Sequence, residues 1–447
     1  MELSSFVIVD TTAEAPQTVL PQKGAQRIFQ NVLVVGLFVL LAFGILAFGA
    51  VDEWSTFTFE AGAAILFLVW VAEQVVSGQV TLSKNPLYVP GALFFTLILA
   101  QILLRTTAYS YITRYEATRY LSYGIVMLVA AECVRGEELR KKVGMGVLAF
   151  GTFYAFFALA QELAPNGKIF WLYTPRYHGS IYGSYVNHNH YAGLMEMLIP
   201  VPLCLSMGHL FKGGKRAMIA FAVVLMASTV FLAKSRGGMI AFLLQLAMLA
   251  ALTLWQKRDR RIAIGLLTVC VSVLSFLFFI GRGQVLGRLG DLDPGIRFKM
   301  TTDCLRMFLH HPIAGSGLGT FPTVYPRDRT FFTTLFINQA HNDYAQLLVE
   351  TGLLGFLLML WFLVRLYQRA TPTSRRWEFK WEAALSLAAL LGCTGILFHS
   401  FVDFNLHIPA NAALFYALAG LAASEHSPSS SRSHRKAVKA EAVGSLP

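Results

Sequence analysis

AHNDYAQLLVETGLLGF, residues 340–356, sets a histidine, an asparagine and two acids directly against a run of Leu, Gly and Phe fit for a lipid bilayer. Polar groups are expensive inside hydrocarbon, so a membrane helix that begins this way places its chemistry at a membrane boundary. The rest of the chain points the same way. Of its 447 residues 55% are hydrophobic and 14% charged, with a mean hydropathy of +0.55. Ordinary soluble domains rarely reach that balance.

A bilayer core of about 30 Å needs about 20 apolar residues in a helix. Apolar runs occur near 29–51, 59–79, 86–104, 120–134, 143–163, 191–208, 217–233, 237–255, 262–281, 344–364, 381–402 and 408–424. The expected fold class is therefore an all-α integral membrane protein of about 12 transmembrane helices. Lys and Arg favour cytoplasmic loops, and this bias sets the orientation. With a cytoplasmic N-terminus, segments 1–28, 80–85, 135–142, 209–216, 256–261, 365–380 and 425–447 lie inside. They hold 23 of the 37 Lys+Arg, leaving 14 outside. Tryptophans 54, 171, 255, 377 and 381 fall near span ends, as an aromatic belt requires.

The net charge of +12 is spread between spans rather than along one face, so topology explains it better than nucleic-acid binding. Four of the five cysteines (Cys133, Cys204, Cys270, Cys393) sit in apolar spans and Cys304 stands alone in a loop, a pattern without disulfide or metal spacing. The first 25 or so residues lack a signal-peptide pattern, and the first span is expected to act as an uncleaved anchor. The polar, low-complexity segment 425–447 reads as a disordered basic cytoplasmic tail.

Two outside segments, 164–190 and 282–343, are too long to be mere connections. In the second, Asp293-Pro294 reads as a helix cap followed by Pro at the first helical position, and His311-Pro312 as a stop. This predicts a helix over 294–310 lying on the outer membrane face. Asp291 and Asp293 match a metal-binding Asp-x-Asp pair, but Asp293 already has the capping role. GSGLG (315–319) has the glycines of a phosphate loop without the strand before it or the Lys-Ser/Thr after it, and reads as a flexible turn. His188 and His190 lack a third zinc ligand.

Chemistry concentrates in four stretches. KSRGG (234–238) puts Lys234 and Arg236 in a short outside turn, where two glycines let backbone approach an anion at a helix N-terminus; a snorkelling interfacial arginine is the alternative. In 174–193, Tyr185, Asn187, Asn189 and His190 suit glycan or carrier binding, with helix capping an equal reading of Asn189. His341 suits a general base, against a satisfied interfacial histidine. If 341–350 is continuous helix, Glu350 lies half a turn from His341, so its expected role is structural, pairing with an arginine or capping a neighbouring helix. HSFVDFNLHIP (399–409) offers His399, Asp403, Asn405 and His407 as either a wall of the site or a polar turn.

GSYVNHNHYAGLMEMLIP (183–200), KSRGG, IRFKMTTDCLRMFLHHPIAGSGLGTFPTVYP (296–326) and AHNDYAQLLVETGLLG (340–355) together resemble the O-antigen ligase and O-antigen polymerase family. The resemblance covers residues 183–360, a core that includes loop 282–343, flanked by membrane helices at 29–182 and 361–424. It implies a metal-independent, cofactor-free glycosyltransferase of GT-C architecture in the bacterial inner membrane, with its active site facing the periplasm. Its donor is a glycan on undecaprenyl diphosphate. Its acceptor is lipid A core in a ligase, or another carrier-linked unit in an O-antigen or exopolysaccharide polymerase. The family's essential arginines map onto Arg236 and Arg297, with Arg306 in reserve, and its essential histidine onto His341. Asn342 and Tyr325 complete the glycan-binding candidates. A polytopic transporter or flippase is the competing class, disfavoured because no internal repeat is visible and the polar residues crowd one face. Membrane lipids are the remaining partners, and nucleic acid is not expected.

The orientation is testable by cysteine accessibility. A cysteine replacing Asp328 should label from outside while one replacing Arg258 stays protected; the reverse result overturns the topology.

Overall fold

A computed structural model describes residues 20–175, 179–207, 210–255, 294–334, 336–371 and 381–424. Among them every regular element is a helix. The first half of the chain forms α1 (Leu20–Leu46), α2 (Glu53–Ser77), α3 (Tyr88–Leu103), α4 (Ser110–Cys133), α5 (Glu137–Leu163), α6 (His188–Leu198) and α7 (Pro200–Met207). The second half forms α8 (Gly214–Leu232), α9 (Arg236–Trp255), α10 (Pro294–His310), α11 (Phe321–Asp328), α12 (Asp343–Ala370), α13 (Trp381–His399) and α14 (Pro409–Ala423). By length and composition seven are able to cross a membrane: α1, α2, α5, α8, α9, α12 and α13, while α3 and α14 are shorter apolar helices. The chain is a multi-pass membrane protein. The expected span at 262–281, Cys270, Trp377 and the Asp291/Asp293 pair lie outside the described residues.

Where helices depart from the apolar runs, local chemistry explains it. The run 120–134 belongs to a helix that begins ten residues earlier, at Ser110. Its added turns are polar but self-satisfied: Arg119 pairs with Glu116 at 2.6 Å and lies over the Tyr115 ring at 4.4 Å. The run 191–208 is two helices, because Pro200 lacks the N–H that would continue α6.

The core lies around α13, almost all of it buried, packed against α6, α7, α9 and α14. Between these helices Gln245 donates to the carbonyls of Glu196 and Leu391 at 2.7 and 2.8 Å, a polar bond worth keeping where no water competes. Gly395 makes room for it; a Cβ there would lie 2.1 Å from the Gln245 amide nitrogen. Trp381 is buried, edge-on to Phe211 and 5.9 Å from Lys141, so it does not join the interfacial belt; Trp54, Trp171 and Trp255 are exposed. Cys133, Cys204, Cys304 and Cys393 are free and buried.

At one end of the bundle the wholly buried Arg140 donates to the Val134 and Glu382 carbonyls and to the Ser386 and Ser424 hydroxyls. It ties α5 to α13 and to the end of α14. Toward the other end, α10 runs from Pro294 to His310, matching the expected helix, and packs on α11 and α12 around Met300, Cys304, Met307, Phe321 and Val349.

Replacing Arg140 by methionine removes four hydrogen bonds, and a buried acceptor left without another partner costs about 1–3 kcal/mol. The expected result is a melting temperature in detergent lowered by several degrees; an unchanged value contradicts the tie.

Candidate active site

Five chain segments meet where α13 ends. Its last residue, His399, leads into a turn whose backbone is fixed by the N–H groups of Val402 and Asp403 donating to the His399 carbonyl at 3.0 and 3.1 Å. This turn buries Asp403 to 1% exposure. A buried carboxylate needs partners. Asn189 donates to it at 2.7 Å from the first turn of α6, and the Phe404 N–H donates at 2.8 Å. His341 Nδ1 lies 3.5 Å away and His190 Nε2 3.9 Å away, ion-pair distances, and both rings stand edge-on to Phe404. Burial pushes the Asp403 carboxyl up, yet the His341 ring beside it and the neighbouring imidazoles of His190 and His399 outweigh that penalty. Its pKa falls below the usual carboxylate range.

His341 precedes α12 rather than opening it. The helix starts at Asp343, and Asn342 is its N-cap, accepting from the Ala345 N–H at 3.0 Å. His341 itself has φ +51, a left-handed conformation unfavourable for a non-glycine residue. It is clamped from both sides: the Ala340 N–H donates to Gln346 at 2.9 Å, and the Asp343 N–H to the Ser400 carbonyl at 2.9 Å. The premise of a continuous helix over 341–350 therefore fails. His341 is partly exposed with Nδ1 buried toward Asp403, which leaves Nε2 as the atom able to take a proton.

A cation reaches the same turn. Arg297, on α10, donates to the Val402 carbonyl at 2.6 Å, one residue from Asp403. Arg236 is the first residue of α9, whose cap is Ser235, accepting from the Gly238 N–H at 3.2 Å. Lys234, at φ +60, is exposed just before it. Gly237 and Gly238 have a different use from the one expected. A Cβ on Gly237 would sit 2.6 Å from the His399 ring, and one on Gly238 would sit 2.7 Å from the Ala192 side chain. The glycines admit protein, seating α9 against α13 and α6.

Several candidates are committed elsewhere. Tyr185 is buried and donates to Asn411 at 2.9 Å, supporting the loop beneath α6. Asn187 caps α6 through the Asn189 N–H at 2.9 Å. Tyr325 is buried and donates to Asp303 at 3.0 Å, and the exposed Arg306 lies 3.7 Å from the same carboxylate. These two therefore gather around Asp303 and not around Asp403.

Glu350 resolves the glycine-rich loop. Gly315, Gly317 and Gly319 all have positive φ and form a rigid turn. All five of its amides are spent within the protein: Gly315 on His311, Ser316 on Val349, Gly317 on the Glu350 carbonyl, Leu318 on Gln101 and Gly319 on the Glu350 carboxylate at 2.8 Å. The other carboxylate oxygen accepts from Phe321 at 3.2 Å, at the start of α11. The loop's amides are thus spent on the protein's own carbonyls, on Gln101 and on the Glu350 carboxylate, so none is left to gather a phosphate. Neighbouring Asp343 holds His407 at 2.6 Å and accepts from the Leu406 N–H. Burial lowers the His407 pKa, and the hydrogen bond to Asp343 raises it past that penalty, to above its ordinary value.

Among the described residues no group of three or more His, Cys, Asp or Glu has metal-holding geometry. Residues 221–360 match the family model described as O-antigen ligase. No curated protein matches the chain. The matched span runs from α8 into α12, containing Arg236, Arg297 and His341, while Asp403 and the first turn of α6 lie beyond it.

Because the Asp403 pKa is depressed, its stabilising contribution is fully present above the ordinary aspartate value of 3.8 and is lost as pH falls toward the lower folded value. Asp403→Asn should therefore lower the melting temperature at neutral pH, with the gap from the parent closing in strong acid. A gap that stays constant with pH contradicts the assignment.

Proposed function

We propose, from the O-antigen ligase domain that the chain carries over residues 221–360, that it transfers a glycan from an undecaprenyl-diphosphate carrier to an acceptor hydroxyl at the periplasmic face of the inner membrane. Lipid A core is the acceptor favoured here. The observation that carries this reading is a partly exposed histidine turned onto a buried carboxylate, with an arginine on the adjoining carbonyl. That arrangement offers a base and a cation to one substrate.

The chemistry follows from the bonds exchanged. The acceptor O–H gives its proton to His341 Nε2 as its oxygen bonds to the anomeric carbon, and Asp403 stabilises the imidazolium that forms. The bond from that carbon to the diphosphate oxygen breaks. The polyprenyl diphosphate leaves with the electron pair, and Arg236 and Arg297 offset its growing negative charge. The arginines perform the task that a divalent ion performs in metal-dependent transferases. The helices form an all-α bundle of twelve spans in this reading, with the loop between the ninth and tenth spans carrying α10 and α11.

Reconstitution with a carrier-linked oligosaccharide and lipid A core tests the activity: sugar should move to the core, and growth of the glycan on the carrier instead assigns a polymerase. Transfer should survive EDTA, and loss of turnover restored by magnesium overturns metal independence.

Substitution separates the two roles. Arg236→Ala should weaken donor binding by about 1.5–3 kcal/mol and slow transfer, with Arg236→Lys only a partial rescue because a point charge lacks the bidentate fork. His341→Ala should leave donor binding nearly intact and slow transfer by about 10²–10⁴-fold. Parental transfer by folded His341→Ala protein rules out the base.

A further inference from the structure

We propose that the buried pair Glu196–His399 is a positioning unit that holds the Arg236 end of α9 in register with the Asp403 turn, a role that rests on the transferase reading above. Glu196 is 0% and His399 1% exposed, and His399 Nδ1 meets Glu196 Oε1 at 2.8 Å. Neither residue touches the site's open side. Each instead touches parts that carry the site.

The contacts run through one imidazole. Its ring lies against the first turn of α9, where a Cβ on Gly237, the residue after Arg236, would fall 2.6 Å from both Cδ2 and Nε2. The backbone carbonyl of the same residue accepts the Val402 and Asp403 N–H groups that shape the turn. That turn presents Asp403 to His341 and the Val402 carbonyl to Arg297. Glu196 completes the unit from α6, four residues past Ala192 and on the helix whose first turn supplies Asn189 and His190. A Cβ on Gly238 would come within 3.1 Å of Glu196 Oε1, so carboxylate and ring bear on the same turn of α9.

Stability does not account for such a pair. Desolvating two ionisable groups offsets most of what their attraction returns, and an apolar pair of the same volume packs as well. A short hydrogen bond between the two adds direction, which apolar contact lacks. Direction matters here because the reaction needs the cations on α9 and α10 and the base before α12 at once. A misplacement of about 1 Å between reacting groups costs about 10²-fold in rate. Donor affinity depends on the cations one by one and is less sensitive to their register with the base.

The test combines kinetics with a distance measurement. Glu196→Gln keeps the volume and removes the carboxyl group. It should lower kcat about 10²-fold with donor KM within about threefold of the parent. Spin labels replacing Ile240 on α9 and Phe401 on the turn, 58% and 56% exposed, should show a broader distance distribution in this variant. Gly237→Ala should slow transfer by pressing on the ring, and adding His399→Ala, which removes the ring, should not restore it. A parental kcat and an unbroadened distance in Glu196→Gln overturn the proposal. So does recovery in the double variant, which reduces His399 to a space filler. If Glu196→Gln fails to insert, Glu196→Asp, with its carboxylate withdrawn by one methylene, is read by the same criteria. Should the parent protein move no glycan from any polyprenyl-diphosphate donor, the transferase reading fails, and the spin-label distance alone decides whether the pair positions α9.

Discussion

A carboxylate buried to 1% exposure at the end of a membrane helix must be answered by its surroundings, and the answer given to Asp403 organises the end of the bundle that holds the candidate site. Asn189 reaches it from α6, the Phe404 N–H from its own turn, and two imidazoles face it from α6 and from the residue before Asn342. These partners come from segments separated by more than two hundred residues. Satisfying one charge therefore brings together the start of α6, the start of α12 and the end of α13. Arg297 and the α9 seat then arrive on the same turn through Val402 and His399.

Glu350 repeats the principle a short way along α12. Its carboxylate accepts from Gly319 at the end of the glycine-rich loop and from Phe321 just after it, while carbonyls and Gln101 take the loop's other amides. The two inner carboxylates thus divide the polar groups by use. Backbone amides and one set of imidazoles serve the protein's own anions, while the arginines of α9 and α10 are the groups proposed to meet the substrate's. The division also explains why GSGLG resembles a phosphate loop in composition and differs from it in function.

Much of the fold was legible from sequence because bilayer length and apolar runs are one-dimensional facts. The α10 boundaries followed from Pro294 and from His311-Pro312. Misreadings arose where polar residues satisfy one another, as Glu116, Arg119 and Tyr115 do in extending α4 outward. Trp381 looked like a belt residue because its sequence position is terminal, but the approach of Phe211 and Lys141 to its ring is not written nearby. In the site, KSRGG and His341 stood out through local composition. Asp403 did not, since a single aspartate in HSFVDFNLHIP reads equally as a turn, and only the approach of α6 and residue 341 distinguishes it. Glu196 was hidden more fully, inside an apolar helix. Its one signal was a lone carboxylate in YAGLMEMLIP, which a membrane interior tolerates only with a partner.

The central claim is that Asp403 contributes to the transfer step through His341. A double-mutant cycle on the single-turnover rate of glycan transfer measures this directly, using Asp403→Asn, His341→Ala and the pair. If Asp403 works by orienting and stabilising the His341 ring, the double variant is no slower than the worse single variant, within about threefold. Losses that multiply across the two sites would show that they act independently and would contradict the account.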